Sequence, residues 1–430
     1  MIAGRSPLAN TARRPARVGR LPARSRVGLA LAGGGPFGAI YEIGTLMALQ
    51  ESIEGIDFND LDVYVGVSAG SFLAAALANG IPVSEIYGLF IEHGKAEGAL
   101  TPEVFMRPAF GEYLARARRV PPLVLRALGR YAVSPFTGNG ALEAFAALGR
   151  AIPTGVFENE TIRQYLSQAF TGPGRTDDFR ELRRKLYLVA TELDTGESVS
   201  FGRPGRDHVP ISRAVQASAA LPGLFPPVEI DGHHYVDGAL KKTLHASEAL
   251  DDGVKLVICV NPLVPYDASL AAEKERGPHR RLVEGGLPVV LSQTFRAIIH
   301  SRMTVGISKY RTRYRGADVV LFEPDADDSE VFFTNIFSYS TRQRLCEHAY
   351  RRARRDLLRR RHELEPMLAR HGARLRLEIL RDESQRPGLR LPRRESAVPA
   401  PWRLPATADG LRETLVDLRR WLAAKDRPRA

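Results

Sequence analysis

Val63-Tyr64-Val65-Gly66-Val67-Ser68-Ala69-Gly70-Ser71 is the stretch on which the reading of this chain turns. Val63–Val67 is a short, largely β-branched run, as expected of a strand buried on both faces. A serine follows between two glycines, in a G-x-S-x-G frame. Ser71–Asn79 then has the Ala-rich spacing of a helix closed by Gly80 and Pro82. A strand that turns sharply into a helix leaves the serine oxygen at the tip of the bend. Gly66 and Gly70 remove the Cβ atoms that would collide in such a turn. The plain alternative is an ordinary strand-to-helix connection.

Upstream, the apolar run Val27–Ala32 ends in Gly33-Gly34-Gly35-Pro36-Phe37-Gly38. Ala39–Ser52 follows with helical apolar spacing at Ile40, Ile43, Leu46, Met47 and Leu49. Three consecutive glycines between a strand and a helix can aim backbone N–H groups at one point, next to the positive helix end. Two readings compete. As an oxyanion hole, Gly33, Gly34 and Gly35 would stabilise the oxygen that becomes negative when a serine attacks an ester. As a dinucleotide fingerprint, Gly33, Gly35 and Gly38 fit G-x-G-x-x-G, with Asp57 or Asp62 as the later acid. No Gly-Lys-Ser/Thr follows, so the loop is not a phosphate-binding Walker loop. The nucleotide reading accounts for this loop but not for Ser68. The oxyanion reading accounts for both.

Further along, Leu186–Thr191 reads as a buried strand with Ser198–Phe201 as a hairpin partner. Ile211–Ala220 is a small-residue helix. Val228–Ile230 and His234–Val236 flank the turn Asp231-Gly232, and Lys255–Val260 is another core strand. Strands alternating with helices imply a three-layer α/β/α fold with a mostly parallel central sheet.

A serine hydroxyl is a weak nucleophile until a base takes its proton. Asp194, Asp231, Asp237, His208, His233, His234, His245 and His300 are the candidates. Asp237 closes a strand in Val236-Asp237-Gly238, a favourable place for an acting carboxylate; the competing role is a plain turn or helix cap. His245 follows it and could complete a Ser–Asp–His triad in the usual chain order.

Together these elements resemble the patatin-like phospholipase family. The glycine loop, the G-x-S-x-G elbow and Asp237-Gly238 occur in the family's order, and Ala217-Ser218-Ala219-Ala220-Leu221-Pro222-Gly223-Leu224-Phe225-Pro226-Pro227 is similar to its Pro-containing block before the aspartate. The resemblance implies a serine acyl-hydrolase of lipid esters: phospholipid, lysophospholipid or acylglycerol. It implies a Ser68–Asp237 dyad without histidine. Gly33, Gly34 and Gly35 would form the oxyanion hole, with Gly38, Gly66, Gly70 and Gly238 shaping the turns and no metal or cofactor. Two positions differ from the family pattern. Phe37 stands where the family's loop carries Arg or Lys, and Ala239 stands where it has a second glycine after the aspartate. The other function classes left open are a nucleotide-binding α/β enzyme and a catalytically inactive lipid-binding module.

The chain has 430 residues, 61 Lys and Arg against 49 Asp and Glu, and a formal net charge of +12, which favours anionic partners. No aromatic-interleaved basic groove indicates nucleic acid. Two cysteines, Cys259 and Cys346, make neither a disulfide framework nor a metal cluster, consistent with a cytoplasmic, reducing compartment. No run of 18 apolar residues occurs, so membrane contact is expected to be peripheral, on an anionic membrane or lipid droplet surface.

Residues 1–25 read as a disordered basic tail and 26–265 as the catalytic domain. A helical, lid-like insertion is expected at about 100–160, where Leu123, Val124, Leu125 and Leu128 interleave with Arg126 and Arg130. That pattern suits an anionic membrane surface or a helix packed on the core. A helical extension over 266–385 is expected to pack on the catalytic domain, with helices over Val289–Tyr310 and Thr341–Gly372. Residues 386–410 form a Pro/Arg-rich linker, and 411–430 a C-terminal amphipathic helix.

Overall fold

The computed structural model describes residues 25–92, 108–109, 112–113, 116, 153–274, 282–333, 339–387 and 416. Nearly all of the expected basic tail, linker and C-terminal amphipathic helix, and most of the expected lid-like insertion, lie outside these residues. Ten strands are described: β1 Val27–Leu31, β2 Ile53–Glu54, β3 Val63–Val67, β4 Lys185–Glu192, β5 Ser198–Phe201, β6 Val228–Ile230, β7 His233–Asp237, β8 Leu256–Val260, β9 Asp318–Phe322 and β10 Arg374–Leu375.

Eight of them form one mixed sheet in the order β6-β7-β4-β3-β1-β8-β9, with β5 paired to β4. The β9-β8-β1-β3-β4 half is parallel, and β5, β6 and β7 are antiparallel additions. Alternate residues feed two cores. Leu29, Leu31, Tyr64, Leu188 and Ile258 face one layer, which includes α1 (Gly35–Ser52) and α2 (Ala69–Ala78). Ala30, Val65, Val67, Val189 and Cys259 face the other, with helix Ala246–Asp251 and Met303 and Tyr310 of helix Gly286–Arg313. Burial on both faces is what makes β1, β3 and β8 continuous apolar runs rather than alternating ones.

The chain after residue 265 is part of this architecture. β9 extends the sheet beyond β8, and helix Tyr339–Arg359 packs along α1, itself buried on nearly every side. A Cβ on Gly44 would lie 2.3 Å from the Cys346 carbonyl oxygen, so glycine sets how closely these two helices approach. The boundary expected at 265 therefore cuts through a continuous sheet. A four-residue apolar run such as Val319–Phe322 carries too little periodicity to be told from a helical segment. The single helix expected over Thr341–Gly372 is two, Tyr339–Arg359 and Arg361–Arg370. Helix α1 begins at Gly35, four residues before the expected start, because the glycine loop is itself the first helical turn, with Pro36 in its favoured place.

Candidate active site

The site is set by how β3 and β7 share one edge of β4. β5 occupies the other edge along Leu188–Thr191. On the shared edge, β3 pairs in parallel as far as Val67 opposite Val189. β7 then pairs antiparallel, with Asp237 opposite Ala190. The two strands meet head to head, so the residue after Val67, Ser68, faces the end of β7. A Cβ on Gly238 would lie 2.3 Å from the Val189 oxygen and 3.2 Å from a Val67 methyl, which fixes how tightly the junction closes.

Ser68 has φ 51 and ψ −122, the left-handed side of backbone space that non-glycine residues rarely occupy. Such strain persists where the surroundings over-determine it. Here the Ser68 N–H donates to Ser218 Oγ at 2.9 Å, and Ser218 Oγ–H donates to the Val189 carbonyl at 2.6 Å. The Ser68 carbonyl accepts from the Ser71 N–H at 2.9 Å. Gly66 and Gly70 lie inside the turn. A Cβ on Gly70 would lie 2.5 Å from the Ala32 oxygen, which its own N–H reaches at 3.2 Å.

Asp237 is 2% exposed. Its backbone N–H donates to Ala220 O at 3.0 Å, and its Oδ1 accepts from the Ala239 N–H at 2.8 Å. Burial pushes the carboxyl up from 3.8 to about 6, opposed by hydrogen bonds from the Ser68 side chain and the Ala239 N–H. A buried carboxyl at the strand end facing the elbow serine has the arrangement of a base waiting for a hydroxyl proton.

The glycine loop closes the site from β1. A Cβ on Gly33 would lie 3.1 Å from Ser68 Cβ, 3.7 Å from Ser68 Oγ and 3.0 Å from Ala239 Cβ. Gly33 therefore lies directly against the serine. Gly34, the N-cap of α1, and Gly38 press on Pro262, and Gly35 opens the helix at φ +61. The first N–H groups of a helix have no intrahelical acceptor and carry the positive end of its dipole, so α1 begins beside Ser68. Arg296 of helix Gly286–Arg313 braces the loop, its guanidinium 5.3 Å from the Phe37 ring centre and its Nη1 donating to Val264 O at 3.2 Å.

The remaining candidates lie elsewhere. His208 pairs with Asp231 at 2.9 Å and His233 with Glu192 at 2.9 Å, all apart from the elbow. Asp194 and His234 are exposed. His245 caps helix Ala246–Asp251 and is buried. Burial and the neighbouring Lys242 charge push it down to about 3, so the ring is neutral, and its Nε2 has no hydrogen-bond partner. His300 lies on helix Gly286–Arg313.

The dinucleotide reading fails on distance. Asp62 accepts from the Val27 N–H at 2.8 Å, so it sits at the start of β1, a strand length of about 16 Å from the glycine loop. Asp57 caps a turn at the Asn59 N–H, 2.9 Å away. Among the described residues, no group of three or more His, Cys, Asp or Glu side chains could hold a metal. Ser218 is the site residue that pattern reading passed over, since within Ala217–Ala220 it looks like one more small residue of a buried helix.

A mixed α/β sheet with a strained serine at the strand-to-helix bend, a buried carboxyl against it and a helix N-terminus alongside defines the class of α/β proteins with a nucleophile elbow. The family model described as patatin-like phospholipase matches residues 29–250, just over half of the chain, and the protein belongs to that family. Among solved structures, the chain is similar to VipD from Legionella pneumophila, with 15% identity, TM-score 0.36, and coverage of 78% of this chain and 66% of that one. It is also similar to the type III effector protein ExoU, with 16% identity, TM-score 0.31, and coverage of 79% and 54%. The chain thus spans less than two thirds of the length of either.

Proposed function

We propose that this protein hydrolyses carboxylic esters of lipids through an acyl-enzyme on a Ser68–Asp237 dyad, with phospholipid, lysophospholipid or acylglycerol as the substrate class. Ser68 Oγ attacks the acyl carbonyl while Asp237 takes the hydroxyl proton. The carbonyl oxygen becomes an oxyanion, stabilised by the backbone N–H groups of Gly33, Gly34 and Gly35 at the start of α1. Collapse breaks the ester bond, and the proton on Asp237 passes to the departing alkoxide. Water then enters, Asp237 accepts its proton, and the resulting hydroxide attacks the acyl carbonyl. The fatty acid leaves as the proton returns to Ser68 Oγ. Every proton taken by Asp237 is given back within the half-reaction.

The observation that carries this reading is the Asp237 carboxyl, buried at the end of β7 where that strand meets the Ser68 elbow on β4, and pushed up to about 6 by its burial. Such a group is ionised near neutrality yet poised to be protonated in mid-reaction. A fluorophosphonate probe tests it. The expected result is covalent labelling of the wild type and none of Ser68→Ala. An unlabelled wild type, or labelling that survives in Ser68→Ala, would overturn the assignment.

A further inference from the structure

Helix Gly286–Arg313 is built inside out. Its buried seam holds Arg296, Ile299, Met303 and Tyr310. Its solvent face holds Leu287, Val290, Leu291, Phe295, Ile298 and Val305, between 39% and 70% exposed. At about 100° per residue, these six fall within an arc of about 140°, opposite the seam. Between Glu284 and Arg302 no exposed residue of the helix carries a charge. Apolar side chains gathered on one outward face are not the scatter expected of an ordinary soluble surface.

Its position gives the face a role. Arg296 stacks on Phe37 of the glycine loop, and Arg302 Nη1 donates to Leu240 O at 3.2 Å, three residues past Asp237. One helix thus touches both loops that build the site. Beyond the apolar stretch the described charges of the helix are positive, Arg302, Lys309 and Arg313, with Arg315 just past its end; of these Arg313 is paired with Asp251 at 3.8 Å. No described helix is long and apolar enough to cross a membrane. An apolar face followed by a cationic end suits a helix lying in the headgroup layer of an anionic bilayer.

We propose that the outer face of helix Gly286–Arg313 is the surface by which this protein seats on an anionic lipid interface, holding the Ser68 site at the membrane from which its ester is drawn. The proposal deepens the hydrolase reading above and names the surface that delivers the substrate.

The test uses the full chain carrying Ser68→Ala, so that binding is read without turnover, with vesicles of phosphatidylglycerol and phosphatidylcholine in equal parts. Replacing Leu287, Leu291, Phe295 and Ile298 by Ser at these exposed positions should lower vesicle co-sedimentation by roughly tenfold or more. Added salt should weaken binding of the parent protein. In a chain with Ser68 intact, the same four changes should leave hydrolysis of a soluble short-chain ester within about twofold and strongly lower hydrolysis of vesicle lipid. As an independent reporter, Phe295→Trp should shift its emission to the blue when vesicles are added.

Vesicle binding unchanged in the fourfold variant would overturn the proposal, as would no binding by the parent protein or no shift at Trp. A loss of self-association with vesicle binding intact would overturn it too, assigning the face to a second copy of the chain. Loss of vesicle binding in a protein that hydrolyses no ester would leave the docking face standing and remove the hydrolase reading instead.

Discussion

Ser68, the residue after Val67 of β3, faces Asp237 at the end of β7 where the two strands meet along one edge of β4. Sheet register rather than a flexible loop sets the pair, so the chemistry should follow the ionisation of one buried group. As a base, Asp237 must be charged. Its carboxyl lies at about 6, so kcat/KM for a soluble ester should fall with unit slope as pH drops through about 6. Asp237→Asn should lower the rate by about 10²- to 10⁴-fold. A profile flat down to pH 4, or near wild-type rates in Asp237→Asn, would exclude Asp237 as the base.

The same burial has a cost in stability. Folding raises the Asp237 carboxyl from 3.8 to about 6, so the folded state holds the proton more tightly than the unfolded chain does. Below about pH 4 both states are protonated and the group is neutral in its effect. Between about pH 4 and 6 the unfolded chain ionises while the folded protein still holds its proton, so the cost grows to about 3 kcal/mol and stays there above pH 6. Asparagine keeps the acceptor for the Ala239 N–H without that charge. Urea denaturation should therefore find Asp237→Asn more stable than wild type by about 2–3 kcal/mol at pH 7, with the gap closing by pH 4. Equal midpoints at pH 7 would contradict the desolvation account.

Ser218 holds the elbow through the two hydrogen bonds that tie Ser68 N–H to Val189 O. Ser218→Ala leaves a buried donor and a buried acceptor unmatched, which should cost about 1–3 kcal/mol of stability. A hydroxyl displaced by even a fraction of an ångström attacks less well, so kcat should fall by about ten- to a hundredfold while KM changes little. Wild-type kcat in a destabilised Ser218→Ala would mean that Ser218 supports the fold but not the nucleophile.

Gly33 and Gly35 separate chemistry from backbone strain within one loop. A Cβ at Gly33 enters the space against Ser68, whereas one at Gly35 meets nothing within 4 Å and suffers only from φ +61. Gly33→Ala should lower kcat by about 10² or more with modest loss of stability. Gly35→Ala should cost about 1–2 kcal/mol of stability from its left-handed backbone. If the two variants lose activity equally, Gly33 has no special place beside the nucleophile.

The elbow and the glycine loop were legible because each is local. A buried strand, a glycine-bounded turn and a helix occupy adjacent residues, and their composition reports their geometry directly. The parallel half of the sheet followed from its doubly buried runs. What stayed hidden depends on distant parts of the chain. β9 is a short strand bracketed by Gly316 and Pro324, but its membership in the sheet is set by pairing with β8, which no local signal reports. That helix Tyr339–Arg359 lies along α1, with Gly44 at the contact, joins segments about 300 residues apart, and no local pattern encodes it. Ser218 acts through Val189, whose position depends on β4 register, and no spacing in the sequence encodes that. The outward apolar face of Gly286–Arg313 was equally invisible, because periodicity marks a stripe without saying which stripe is covered.

His245 offers the sharpest contrast between a triad and a dyad. It follows Asp237 in the order a triad would need, yet the groups acting on the Asp237 carboxyl are its own burial, Ser68 and Ala239, with no histidine among them. Burial and the Lys242 charge hold the imidazole down to about 3, so it stays neutral through the working range and cannot accept a proton near neutrality. His245→Gln retains a polar side chain of similar volume at a site whose Nε2 already lacks a partner. Its expected effect is a change in kcat of less than about fivefold and an unmoved acid limb near pH 6, with Asp237→Asn still close to inactive. A loss of about 10³ or more in His245→Gln, with the fold intact by circular dichroism, would restore histidine as the base and reduce Asp237 to its orienting partner.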